Sequence, residues 1–178
     1  MFSALAARRY RRNATRGPVT SAARGDEIEP SEADFAWAVL VPELLITDLQ
    51  KSLRFWRDIC GFAVVFDRPE AGFAYLDLGG AQLMLDQQGL TRDWETGLME
   101  IPYGRGVNFQ VRVHAIEPIL AALAAANWPL FLAPEEKWYR TRAIETGVRQ
   151  FLVQDPDGYL IRFSAGVGER PISAPDGL

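Results

Sequence analysis

Cysteine and histidine are almost missing from this chain, which holds one of each, Cys60 and His114. A lone thiol cannot form an internal disulfide, and a reducing compartment suits such a chain. A lone imidazole excludes a His/His metal site within one chain, and it leaves a serine or cysteine nucleophile one possible histidine base. Cys60 ends an apolar helical pattern and reads as packing. His114 stands where a strand gives way to a helix and reads as a surface or capping residue. No run of eighteen apolar residues occurs, so no segment reads as a membrane span. Acid is missing from residues 1–25, which carry six arginines (Arg8, Arg9, Arg11, Arg12, Arg16 and Arg24). The remainder carries thirteen basic against twenty-three acidic residues. Such an acidic body repels nucleic acid and favours a cationic small molecule.

What is there is a chain of 178 residues, enough for one domain or for two small modules sharing a core. A hydrophobic content of 48% with 24% charged residues fits a soluble globular protein. Residues 1–34 read as an extension outside the fold, either disordered or Arg-rich in the manner of an organelle transit peptide. The expected location is the cytoplasm, or a mitochondrion if the source is eukaryotic.

From Ala36 the pattern is regular. "WAVLVPELLI" reads as a strand and "TDLQKSLRFWRDIC" as a helix, with Thr47 and Gln50 as a capping box and Gly61 as its stop. Leu49, Leu53, Trp56 and Cys60 form its apolar stripe. "FAVVF", "FAYLDL" and "AQLMLD" read as three short strands, followed by a loop over residues 88–104 that carries Trp94. The order then repeats: the strand "GVNFQVRV", the helix "IEPILAALAAAN", the extended "PLFLAPEEKWYRTRA", and the strands "RQFLVQD" and "YLIRFSA". Trp128 reads as packing where the second helix ends. An offset of 67 residues places Val41 on Asn108.

This βαβββ repeat resembles the vicinal oxygen chelate superfamily, which includes glyoxalase I, extradiol dioxygenases, fosfomycin-resistance enzymes and bleomycin-resistance proteins. The resemblance is carried by "VPELLITDLQKSLRFWRDICGF", "FAYLDLGGAQLML", "GVNFQVRV" and "RQFLVQDPDGYLIRF". It implies an α+β fold of two βαβββ modules forming a cup-shaped mixed sheet with helices outside. The domain is expected over 35–168, with module one at 36–87 and module two at 105–166, followed by a tail at 169–178. The resemblance also implies a metal-ligand position on each of four strands, which here hold Val41, Met84, Asn108 and Arg162. No metal or other cofactor is therefore expected. The Val41-Pro42 pair is similar to the opening of the metal-free bleomycin-resistance group, whose members sequester a cationic antibiotic as homodimers without altering it. That group's Trp before the Arg of its last-but-one strand is replaced here by Gly147, ahead of Arg149. The alternative is a glyoxalase-like or dioxygenase-like metal enzyme.

Strand alternation gives the cup lining independently. Val39, Val41 and Glu43 share one face of the first strand, and Asn108, Gln110 and Arg112 share one face of the fifth. Gln82, Met84, Arg162 and Ser164 complete that surface. The candidate ligand-binding residues are Glu43, Asn108, Gln110 and Arg162, with Trp94, Trp138 and Tyr139 as aromatic contacts. The expected partner is a small molecule with a cationic part and a planar part; no nucleic acid or membrane is expected.

Overall fold

A computed structural model describes residues 35–91 and 94–172. The reading of residues 1–34 falls outside them. The compact body begins at Ala36. Its first module runs β1 (Glu43–Ile46), α1 (Leu49–Leu53), β2 (Ala63–Arg68), β3 (Phe73–Leu78) and β4 (Ala81–Gln87). The second runs β5 (Asn108–Arg112), α2 (Glu117–Ala125), β6 (Leu130–Thr141), β7 (Ile144–Gln154) and β8 (Leu160–Pro171). The α+β class and the βαβββ repeat are as expected. Hydrogen bonding divides the strands into two four-stranded mixed sheets, ordered β1-β4-β3-β2 and β5-β8-β7-β6. In each, the first strand of the module runs parallel to the last, and the remaining pairs are antiparallel.

The first strand is shorter than its sequence suggests. Pro42 has no amide hydrogen to give a ladder, so pairing starts where its carbonyl accepts the Met84 amide at 2.8 Å. Val39 and Leu40, read as strand, are fully or largely exposed. The helix start also differs. Asp48, not Thr47, is the N-cap, its carboxylate accepting the Lys51 amide at 3.0 Å. Beyond Leu53 the helix widens into a π-helix over Arg54–Ile59. The expected stripe of Leu49, Leu53, Trp56 and Cys60 is buried, and the wider turn buries Phe55 and Ile59 as well. Gly61 ends the helix at φ 83°, a conformation that favours glycine.

One core joins the modules. Leu44, Ile46, Leu83 and Leu85 from the first sheet and Val153, Ile161 and Phe163 from the second lie within it. Phe55 meets Trp128 at 5.0 Å between ring centroids, and the Trp128 indole N–H donates to the Gln154 carbonyl at 2.9 Å. Trp128 thus packs after α2, as its position suggested. β8 runs through Pro171, past the end expected for the second module. Among the described residues no helix is long and apolar enough to cross a membrane.

Candidate functional site

In β1 the alternation sends Leu44 and Ile46 into the core and leaves Glu43 and Leu45 on the opposite face. Register extends that face across the sheet: Glu43 pairs with Met84, and Met84 with Tyr75. Asp86 pairs with Leu45 and with Phe73. Phe66 of β2 stacks on Tyr75 at 5.2 Å and on Phe73 at 5.8 Å. The Arg68 guanidinium sits 3.8 Å from the centre of the Phe73 ring, within the range of a cation–π contact. Two hollows of about 450 Å³ each open on this face, and Glu43 and Trp94 line both. Leu45 lines one; Arg68, Phe73, Asp86 and Thr91 line the other. Trp94 is 69% exposed, and an indole can stack on a flat ligand.

The second module presents a polar face. Phe109 and Val111 of β5 turn toward the core, leaving Asn108, Gln110 and Arg112 on the other side. Gln110 pairs with Arg162 across the parallel ladder, and Arg112 with Ser164. The Arg162 guanidinium donates through Nη2 to the Gln110 Oε1. The Gln110 amide in turn donates to the Ser164 hydroxyl at 3.1 Å. Farther along the same face the Gln150 amide donates to Glu135 at 2.8 Å and to the Tyr139 hydroxyl at 2.9 Å. Arg162 Nε is buried and has no hydrogen-bond partner.

The structure therefore brings Glu43 together with Trp94, and Gln110 together with Arg162. Asn108 shares the face of Gln110, and Tyr139 reaches that face through Gln150. Trp138 does not join them. It is the neighbour of Tyr139 on a strand, so it points the other way. There its indole N–H donates to Glu136 at 2.8 Å, and Arg170 lies 4.2 Å from its ring centre. Gly147 makes room for that ring: a Cβ at Gly147 would stand 2.8 Å from it.

Two functional-looking residues escaped the sequence reading, Asp155 and Asp157 of the turn before β8. Both are buried. Asp157 accepts the Thr47 hydroxyl at 2.6 Å and the Thr47 amide at 3.2 Å. Asp155 accepts the amides of Tyr159 and Asp157 at 2.9 and 3.0 Å, and the Trp56 indole N–H at 3.3 Å. The Tyr159 hydroxyl donates to the Leu45 carbonyl at 3.0 Å. This turn fastens module two to the strand and helix of module one. The only signal in the sequence was Trp56, whose buried indole N–H needed an acceptor. Burial pushes the Asp155 carboxyl up to about 7, against the pull of the Tyr159 amide and with help from the Asp157 charge. Burial likewise pushes Tyr159 up to about 12.

The four positions at which the resemblance implies a metal do not fit one. Register supports their equivalence, since Glu43 pairs with Met84 as Gln110 pairs with Arg162. Val41 offers no donor atom, Met84 only a soft thioether, and Arg162 a positive charge bonded to Gln110. Among the described residues no three His, Cys, Asp or Glu side chains cluster in a way that could hold an ion.

A profile of the Glyoxalase/Bleomycin resistance protein/Dioxygenase superfamily matches residues 38–163. The chain belongs to this superfamily. Among its relatives, a superfamily member from Vibrio splendidus is 40% identical, with 71% of this chain and 97% of that one covered and a TM-score of 0.33. A virulence protein of Salmonella typhimurium is 19% identical with a TM-score of 0.55, covering 75% of this chain and 99% of that one. A Glyoxalase 1 of Caenorhabditis briggsae is 26% identical over 152 residues, 85% of this chain. The chain spans about half, 51%, of that curated relative.

Proposed function

We propose that this superfamily member binds a small organic molecule carrying a cationic, planar group and sequesters it without a metal ion, in the manner of the bleomycin-resistance proteins. The observation that carries the reading is the pair of hollows on the first sheet. They combine the carboxylates of Glu43 and Asp86 with the exposed ring of Trp94. Among the described lining residues the guanidinium is that of Arg68, which is drawn over Phe73. Two carboxylates beside a largely exposed tryptophan suit a flat cation, which would stack on the ring and compete for the acid with the groups already there. The chain's one thiol is buried and its one imidazole exposed, so no Cys–His pair is set up for covalent chemistry.

Benzamidine is a suitable probe, being planar and cationic. Titration followed by tryptophan fluorescence is expected to saturate, and Glu43→Gln to weaken binding about tenfold or more, the size of a lost charge-assisted contact. Absence of saturable quenching, or an unchanged affinity in the variant, would remove the reading.

A second reading, a glyoxalase-like lyase, is favoured by the Caenorhabditis relative. The residues at the metal positions weigh against it. We also infer a homodimer as the working form, since β1, β2, β5 and β6 are all sheet edges and Trp37, Leu40 and Phe131 are exposed near them.

A further inference from the structure

The hollows of the first sheet are lined by the acids Glu43 and Asp86; the face of the second carries cationic side chains. Arg112 and Arg162 project there from neighbouring strands, and among the described residues neither forms an ion pair with a carboxylate. Glu135, an acid of that face, is bonded to Gln150, and Glu169 stands farther off, in the row of Tyr139 and Thr146. Among the described residues Arg162 bonds through Nη2 to a neutral amide oxygen. Its Nε is buried with no acceptor at all. A buried donor without a partner is a standing cost, and a guanidinium has five N–H groups to satisfy. The Gln110 Oε1 meets Nη2 rather than Nε, and the Gln110 amide nitrogen, a donor turned toward Ser164, can offer Nε nothing. Leu152, the residue beside Arg162 on β7, offers no side-chain acceptor.

We propose that this face is an anion subsite, and that Arg162 takes a carboxylate group of the ligand through Nε, with Arg112 adding charge from the next pairing row and Asn108 a neutral amide. Because Nε is buried as it stands, the guanidinium would turn outward to meet an incoming carboxylate, which would supply the acceptor that Nε lacks and bind along its edge, a geometry that arginine favours. Arg162 then occupies one of the superfamily's metal positions with a fixed positive charge, doing for an anionic group what the ion does in other members. The proposal deepens the sequestration reading and rests on it: the natural ligand would carry an anionic as well as a cationic group.

The test uses benzoate, which is planar and anionic, alongside benzamide, its neutral counterpart. The readout is the ¹⁵N–¹H signal of the Arg162 Nε in the full chain, together with the affinity by calorimetry. Benzoate is expected to bind saturably and move that signal, and benzamide to do neither. Arg162→Met is expected to lower benzoate affinity at least tenfold while benzamidine still quenches tryptophan as before. If the methionine variant does not fold, Arg162→Lys keeps the charge but not the fork, and is expected to lose several-fold for benzoate. Benzoate binding that leaves the Arg162 signal still, or equal affinity in whichever variant folds, would overturn the subsite. Loss of benzamidine binding with benzoate intact would instead strike the cationic-ligand reading alone.

Discussion

Asp155 is a carboxylate enclosed by the two modules, and its environment can be read by pH. Burial raises its folded pKa to about 7, above the usual unfolded value of about 3.9. Its contribution to stability is therefore fully present below about pH 4 and is lost as pH rises through about 7. The loss is on the order of 2–4 kcal/mol. Urea midpoints measured between pH 5 and 8 are expected to fall for the native chain and to fall less for Asp155→Asn. Equal slopes would place the carboxyl in a more solvated setting. Cys60 lies beside this site, and burial pushes its thiol up. It is expected to resist iodoacetamide at pH 8 in folded protein and to react fully in urea. Arginine at 162 was legible as an oddity because it interrupts an apolar strand, but its bond to Gln110 depends on β5 lying beside β8, which no single strand encodes. Trp138 and Tyr139 were both read as aromatic contacts to the ligand, although the two-residue period of a strand already separates their faces. The buried state of Asp155 and Asp157 was not legible, because acids beside Pro and Gly ordinarily mark a solvated turn.

At the scale of the element, the Asp155–Gly158 turn sets how β8 leaves the loop before it. Gly158 has φ 91°, and a Cβ there would stand 2.4 Å from the Pro102 Cβ and 2.6 Å from the Pro102 Cα. Backbone cannot give way as a side-chain tip can. Gly158→Ala is expected to cost roughly 2–4 kcal/mol, combining left-handed strain with a clash. Chemical denaturation would check it; a midpoint near that of the native chain would mean the turn re-forms elsewhere. Helix α1 was legible from its apolar spacing, and its end from Gly61. Its cap was not, because Thr47 and Asp48 are both capping residues, and the Thr47 hydroxyl is taken by Asp157, 110 residues away. The length of β1 was overread for a similar reason. Valine-rich sequence favours strand, but without an amide at Pro42 the ladder starts one residue later.

At the scale of the molecule, the repeat was legible because each module carries its own strand–helix–hairpin punctuation, and the superfamily match covers the same span. The division into two hydrogen-bonded sheets was not, since module order in a sequence says nothing about which edges pair. Four sheet edges and exposed aromatic residues lead to an expected dimer mass by light scattering at micromolar concentration. A monomer mass there, unchanged by added benzamidine, would contradict it. The central proposal concerns chemistry rather than assembly: the positions at which the resemblance implies a metal are here given to valine, methionine, asparagine and arginine, and the protein's own groups are proposed to bind the ligand. The affinity of EDTA-dialysed protein for benzamidine, measured before and after adding Zn²⁺, Ni²⁺, Mn²⁺ or Fe²⁺, tests it most directly. Saturable binding that the metals leave unchanged is the predicted result. Binding that appears only when one of these ions is restored would contradict it.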